Sequence, residues 1–577
     1  MNRKILFVEA VLALALVLGF RLAGHDSRQS SDQIIKSRNI IQCSPDWNMI
    51  NVDSLAGKMV PLPGWGNYRW DIRTKNDSAQ FYFQQGINMY YAFHIIESMG
   101  SFRKALLFEN DHPMIYWAIA LAYGPNINDF EYKASPEALD AAKKAMLFSS
   151  AAGSREKALI EAMQGRYSED STISRTSLNE NYTRAMEKVY KLFPGDADVA
   201  TLYADANMLQ HPWDYWKHNG EAQPWTSEIL QVLEKSLIHA PQHPGTNHYY
   251  IHMVEASPDP GRALASADRL GKLMPSVSHM IHMPSHIYIR TGNYSKGIAV
   301  NEASIAGYNA YLHLFSEVQN NAPLYLIHNL HMQTACAMMK PGYGYSIKSA
   351  METSNSFDTS FLSLPQPIAN FIQYVYMSPQ FVQVRYGKWE NILSSADINP
   401  SYIYANVLSH WAKGMALANT NKLSKARERL DKMRDAMKAP DLAIVMLPFN
   451  AAIAPSKVAE KILEGTIAQK QYRLDDACRY FREAVRLEDS LIYTEPRDWL
   501  LPTRQYLANA YLLQKNYKEA KKTLEEDLLI NPNNFFALYG LKMALKGLKM
   551  KKEAAIIEKV FSQAYINADL KSAALIY

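Results

Sequence analysis

HPGTNHYYIHMVEA, residues 243–256, and VSHMIHMPSHIYIR, residues 277–290, each carry a pair of histidines four residues apart. The pairs are His248 with His252 and His282 with His286, offset by 282 − 248 = 34 residues. A spacing of four puts both rings of a pair on one face of a helix. A period of about 34 is that of a solenoid built from helix–turn–helix units. Together the two spacings predict an all-α chain in which neighbouring elements present four imidazoles in register. Such a cluster suits a metal site or a polar ligand cleft.

Outward from these stretches, apolar residues recur at three- and four-residue intervals from Phe81 onward, broken by Gly, Pro or Asn every dozen or so positions. Small and aromatic residues fall in a repeating order: Tyr82, Gly86, Phe102 and Ala105; Gly465, Ala477, Phe481 and Ala484; Ala508, Tyr511, Ala520 and Pro532. Ala520 and Ala554 are again 34 apart, as are Pro241 and Pro275. In this pattern the chain resembles the tetratricopeptide repeat family. The resemblance implies a right-handed α-solenoid of paired helices, in which small residues let two helices approach, large ones fill the gap and proline ends the second helix. It also implies that His248, His252, His282 and His286 occupy equivalent places on successive first helices and line the concave face, with Glu255 and His279 alongside. A narrower resemblance is to bacterial tetratricopeptide-like proteins with YWAIALAYGPNIN, HPGxNHYYIH and HMPSHIYIR segments, here at 116–128, 243–252 and 282–290. It implies architecture and no activity.

The expected organisation is a signal peptide or signal anchor at 1–24, an irregular leader at 25–76 strapped on by Trp47, Trp65 and Trp70, a tetratricopeptide-like part with the histidine cluster at 77–345, a divergent helical region at 346–454, and further repeats at 455–577. Arg3 and Lys4 precede an apolar run from Ile5 to Phe20, interrupted by Glu9. That order predicts translocation of the chain beyond the run, hence an extracytoplasmic protein, with either a cleaved signal or a single N-terminal membrane anchor. Segments 211–225 and 495–502 read as insertions that break the period. Cys43, Cys336 and Cys478 form no close pair and imply no disulfide framework.

Hydrophobic residues at 48% and charged ones at 20% exclude a disordered chain. A net charge of +5 from 61 basic and 56 acidic residues offers no basic stripe, so nucleic acid is not an expected partner. No phosphate-cradling glycine loop and no nucleophile elbow is present, so neither a nucleotide nor a serine hydrolase is indicated. HYYIH has tyrosine where a zincin has its glutamate, which disfavours peptide hydrolysis by that route.

Ten of the sixteen histidines lie between 239 and 331. Imidazole suits zinc, copper or iron, so His248, His252, His282 and His286 are the candidate ligands, with Glu255, His279, His328 and His331 as further ligands or their supports. Packed imidazoles should be largely neutral near pH 7. Met253, Met280, Met283 and Met332 are read as core packing, and Tyr249, Tyr250, Tyr288 and Arg290 as groups able to orient a ligand. The expected function is an extracytoplasmic protein binding a transition metal in a histidine-lined groove. Two alternatives stay open: a metal-dependent enzyme using Glu255 or Tyr249 as acid or base, and a metal-free scaffold that takes a protein, peptide or small molecule in the groove.

Overall fold

Glycine beneath an aromatic ring sets the helix pairs. A Cβ on Gly86 would lie 2.5 Å from the Phe102 ring, and one on Gly465 would lie 2.4 Å from Phe481. At each place the helix pair, Asp77–Tyr91 with Ile95–Phe108 and Ile453–Lys470 with Leu474–Asp489, closes to a distance no larger residue permits. The pairs Thr503–Leu513 with Tyr517–Ile530 and Phe535–Gly547 with Lys551–Tyr565 come next in the chain. Their turns pass through left-handed residues Lys515 and Lys549, which are 549 − 515 = 34 apart. The period seen in the sequence is therefore a period of the backbone.

The computed structural model describes residues 45, 47 and 50–577 apart from 130, 131, 133, 318–321, 446–448, 566–568 and 570–572. The expected export segment at 1–24 and Cys43 lie outside them. Among the described residues no helix is long and apolar enough to cross a membrane. Helices account for the regular structure, with no strand among the described residues beyond an isolated bridge between Trp216 and Ala222. Cys336 and Cys478 are buried and unpaired.

Two large apolar clusters form the core, one running from Ile50 to Phe315 and one from Ala335 to Leu575. The leader departs from expectation: Val52–Lys58 is helical, started by Asn51, whose side chain accepts from the Ser54 N–H. Trp47, Trp65 and Trp70 do strap it down, edge-on to Tyr123 and Phe81 and against Trp117 respectively. In the region of poor repeat match, Ile403–Asn419 and Leu423–Ala436 still form a helix pair, and Gly414 there meets Leu463 of the next helix. The C-terminal repeats return onto the middle of the chain. The Tyr294 hydroxyl donates to the Pro532 carbonyl at 2.8 Å, and the Phe535 N–H donates to the Met339 carbonyl at 3.2 Å.

Candidate metal centre

His243 and Pro244 start the first histidine helix, Pro244–Val254. The His243 Nδ1 accepts from the Thr246 N–H at 3.0 Å, and proline at the first helical position forfeits no helical bond. Gly245 then lets the helix press against Tyr91, whose Cδ1 would lie 2.6 Å from an added Cβ. That approach carries the His248 Nδ1 to 2.6 Å from the Tyr91 carbonyl, to which it donates.

The second histidine stretch is two short helices, Ser278–His282 and Pro284–Arg290, rather than one. Pro284 has no N–H to give the preceding turn. Met283 nevertheless keeps helical angles, φ −48° and ψ −38°, so the four-residue spacing still brings His282 and His286 together.

Six imidazoles converge as two trios. In the first, the His248 Nε2 lies 3.1 Å from the Nε2 of His252 and 3.1 Å from the Nε2 of His279. In the second, the His286 Nε2 lies 2.8 Å from the Nε2 of His282 and 3.4 Å from that of His328. Within each trio one nitrogen from each ring falls within 4.8 Å of the others. Most of the opposite nitrogens are held. The His282 Nδ1 donates to the Asn301 Oδ1 at 2.6 Å. Glu255 joins the trios, its Oε1 lying 3.2 Å from the His252 Nδ1 and its Oε2 2.7 Å from the His286 Nδ1. Glu495 adds a second carboxylate 2.8 Å from the same His286 nitrogen. This arrangement, one ring nitrogen held by an acceptor and the other left to converge, is how proteins orient metal-ligating histidines.

Burial, reinforced by neighbouring imidazoles, pushes His248, His279 and His282 well below the ordinary histidine range. The same causes hold His328 at about 3. His286 differs: burial opposes its charge, but Glu495 and Glu255 override it and raise the ring to about 10. Glu255, also disfavoured by burial, is lowered to about 2 by His286 and His252. His286 is thus the charged ring of the second trio, whereas His248 and His279 of the first are neutral.

The histidines do not line an open groove. His248, His252, His282 and His286 are 0, 2, 0 and 3% exposed. The two insertions that break the repeat cover them: Trp213 from the first sits edge-on to His252 at 5.2 Å, and Glu495 comes from the second. What remains is a cavity of about 340 Å³ that opens in part to the surface, beside Ala134 and Ile444. His252, His279, His286 and His328 line it, whereas His248 and His282 stand behind them. His331 also lines the cavity but joins neither trio; its ring packs edge-on to Tyr374 at 5.1 Å.

Other expected ligand-orienting groups point elsewhere. Tyr249 is enclosed against Phe93, which removes it as an acid or base. Tyr250 and Tyr288 donate to Glu234 and Asp268, and Arg290 donates to the Glu255 and Ser257 carbonyls. The four methionines are buried, and none lines the cavity. Glu495, Asn301 and the Tyr91 carbonyl belong to the site although sequence reasoning misses them. Only Glu495 leaves a signal, an acidic residue inside a stretch that breaks the repeat.

No protein-family model matches the chain, and no curated protein matches it. Among solved structures it is similar to the human IFIT1 dimer with m7Gppp-AAAA, at 13% identity over 92% of this chain and 96% of that one, with a TM-score of 0.30. It is similar also to the TPR domain of P58(IPK), at 13% identity over 82% and 99% with a TM-score of 0.21, and to yeast Tom70, at 10% over 85% and 93% with a TM-score of 0.23. Scores this low superpose no whole superhelix. The repeats are tetratricopeptide-like on their own packing at Gly86 and Gly465.

Proposed function

We propose that the protein binds transition metal ions, zinc, copper or iron, one at each histidine trio. The observation that carries this is the crowding at the His248 Nε2. Its Nδ1–H donates to the Tyr91 carbonyl, so Nε2 offers a single lone pair, yet two ring nitrogens stand 3.1 Å away. One N–H can satisfy one of those approaches. A metal cation between the three nitrogens satisfies all of them, and three nitrogens with a side open to the cavity form a donor set that zinc, copper and iron accept. Glu255 supports both trios from behind. An extracytoplasmic location belongs to the same proposal and rests on residues 1–24 alone.

Cobalt titration tests the reading in the full chain. Intense visible bands of low-coordinate Co²⁺ that saturate at two equivalents support it, and the weak bands of hydrated Co²⁺ alone contradict it. A catalytic variant of the proposal has one supporting observation: Glu495 lines the cavity beside His286. Under it, Glu495→Gln retains metal and loses turnover.

A further inference from the structure

We propose that the cavity beside the trios is a binding site for an organic amine, taken up as its ammonium cation between Asp498 and aromatic walls. Three carboxylates, Asp129, Glu495 and Asp498, line the cavity, and no lysine or arginine does. The one cation of the lining, His286, is already paired with Glu255 and Glu495, so a carboxylate or phosphate ligand finds no free counter-charge there.

Asp498 is the residue that asks for a cation. Its Oδ2 accepts from the Asn450 Nδ2 at 2.8 Å, and no lysine or arginine among the described residues is paired with it. The adjacent Arg497 is engaged electrostatically with Arg290, Glu488, Asp527 and Glu495 instead. Burial lifts the Asp498 carboxyl to about 6, which still leaves it an anion at pH 7.5. A partly buried carboxylate without a counter-charge is unfavourable, and a bound ammonium supplies the charge.

A second feature points the same way. Asn370 is 5% exposed and lines the cavity. Its Nδ2 donates to the Asp441 carbonyl at 2.9 Å, which settles the orientation of the amide, and its Oδ1 accepts from no described residue. The cavity therefore offers a buried acceptor to a ligand rich in N–H donors. Tyr374 and Tyr404, 6.3 Å apart with rings inclined by 24°, and Phe371 provide the aromatic faces that stabilise a cation and an apolar body. The inference concerns the chain with the trios free of metal, because a metal cation at the same cavity would itself attract a carboxylate.

The test is calorimetric titration of the full chain, held free of metal with a chelator, at pH 7.5 with 2-phenylethylamine, 2-phenylethanol and phenylacetate, which share a ring and differ in head group. The amine is expected to bind at one per chain and about tenfold or more tighter than the alcohol, with no binding of phenylacetate. Asp498→Asn is expected to weaken the amine about tenfold and leave the alcohol unchanged. Absence of amine binding, equal or tighter binding of the alcohol or the acid, or an amine affinity unchanged in Asp498→Asn overturns the proposal. The three-ligand comparison on the unaltered chain decides the matter even where the variant fails to fold. Metal loading, measured in parallel, is a separate result, so failure here leaves the metal reading standing and the reverse.

Discussion

The Nε2 of His248 lies 3.1 Å from the Nε2 of His279, although 31 residues separate them in the chain. His279 precedes His282 by three positions and so shares its helix face. One short helix therefore feeds both trios, His279 to the first and His282 to the second. The two sites are built on a common element and share Glu255 behind them, which makes them a coupled pair.

Glu255 contacts one ring of each trio, so Glu255→Gln should weaken both sites. The loss of such a support typically costs about 10- to 100-fold in metal affinity. Competition against a chromophoric chelator reads each site, and an effect confined to one trio would show that the carboxylate does not join them.

Gly245→Ala places a Cβ 2.6 Å from Tyr91 Cδ1 and 3.0 Å from Thr201 Cγ2. The helix must then retreat from the carbonyl that orients His248. The expected cost is about 1–3 kcal/mol in chemical denaturation, with metal affinity falling at the first trio and holding at the second. Unchanged stability would mean that Tyr91 yields freely.

Asp498 sets a stability dependence on pH. Burial raises its folded pKa from 3.8 to about 6. The unfolded chain ionises first, so the neutral acid contributes stability that is fully present below pH 3.8 and lost as pH rises through about 6. Asn does not titrate. Relative to the parent chain, Asp498→Asn should therefore gain about 2 kcal/mol between pH 4.5 and pH 7.5 in ligand-free protein. A gap that stays constant with pH would place the carboxyl in water.

The sequence carried the helical period and the location of the cluster because both are local: packing repeats at 34 residues, and spacings of three or four put side chains on one face. It did not carry what distant segments bring. Glu495 arrives from the folded-back second half, and Asn301 and the Tyr91 carbonyl come from neighbouring helices, where their types mark nothing. The enclosure of the cluster was hidden for the same reason. A stretch that breaks the repeat reads as an interruption, yet Trp213 and Glu495 close the groove over the histidines. Pro284 did announce the split in the second histidine helix, and the continuous spacing of His282 and His286 obscured it.

The most direct test is elemental analysis of the full chain purified without chelators, beside His248→Ala, His282→Ala and the double variant. Two transition metal ions per parent chain, one in each single variant and none in the double variant is the expected result. A parent chain without stoichiometric metal, or variants that retain both ions, would contradict the account.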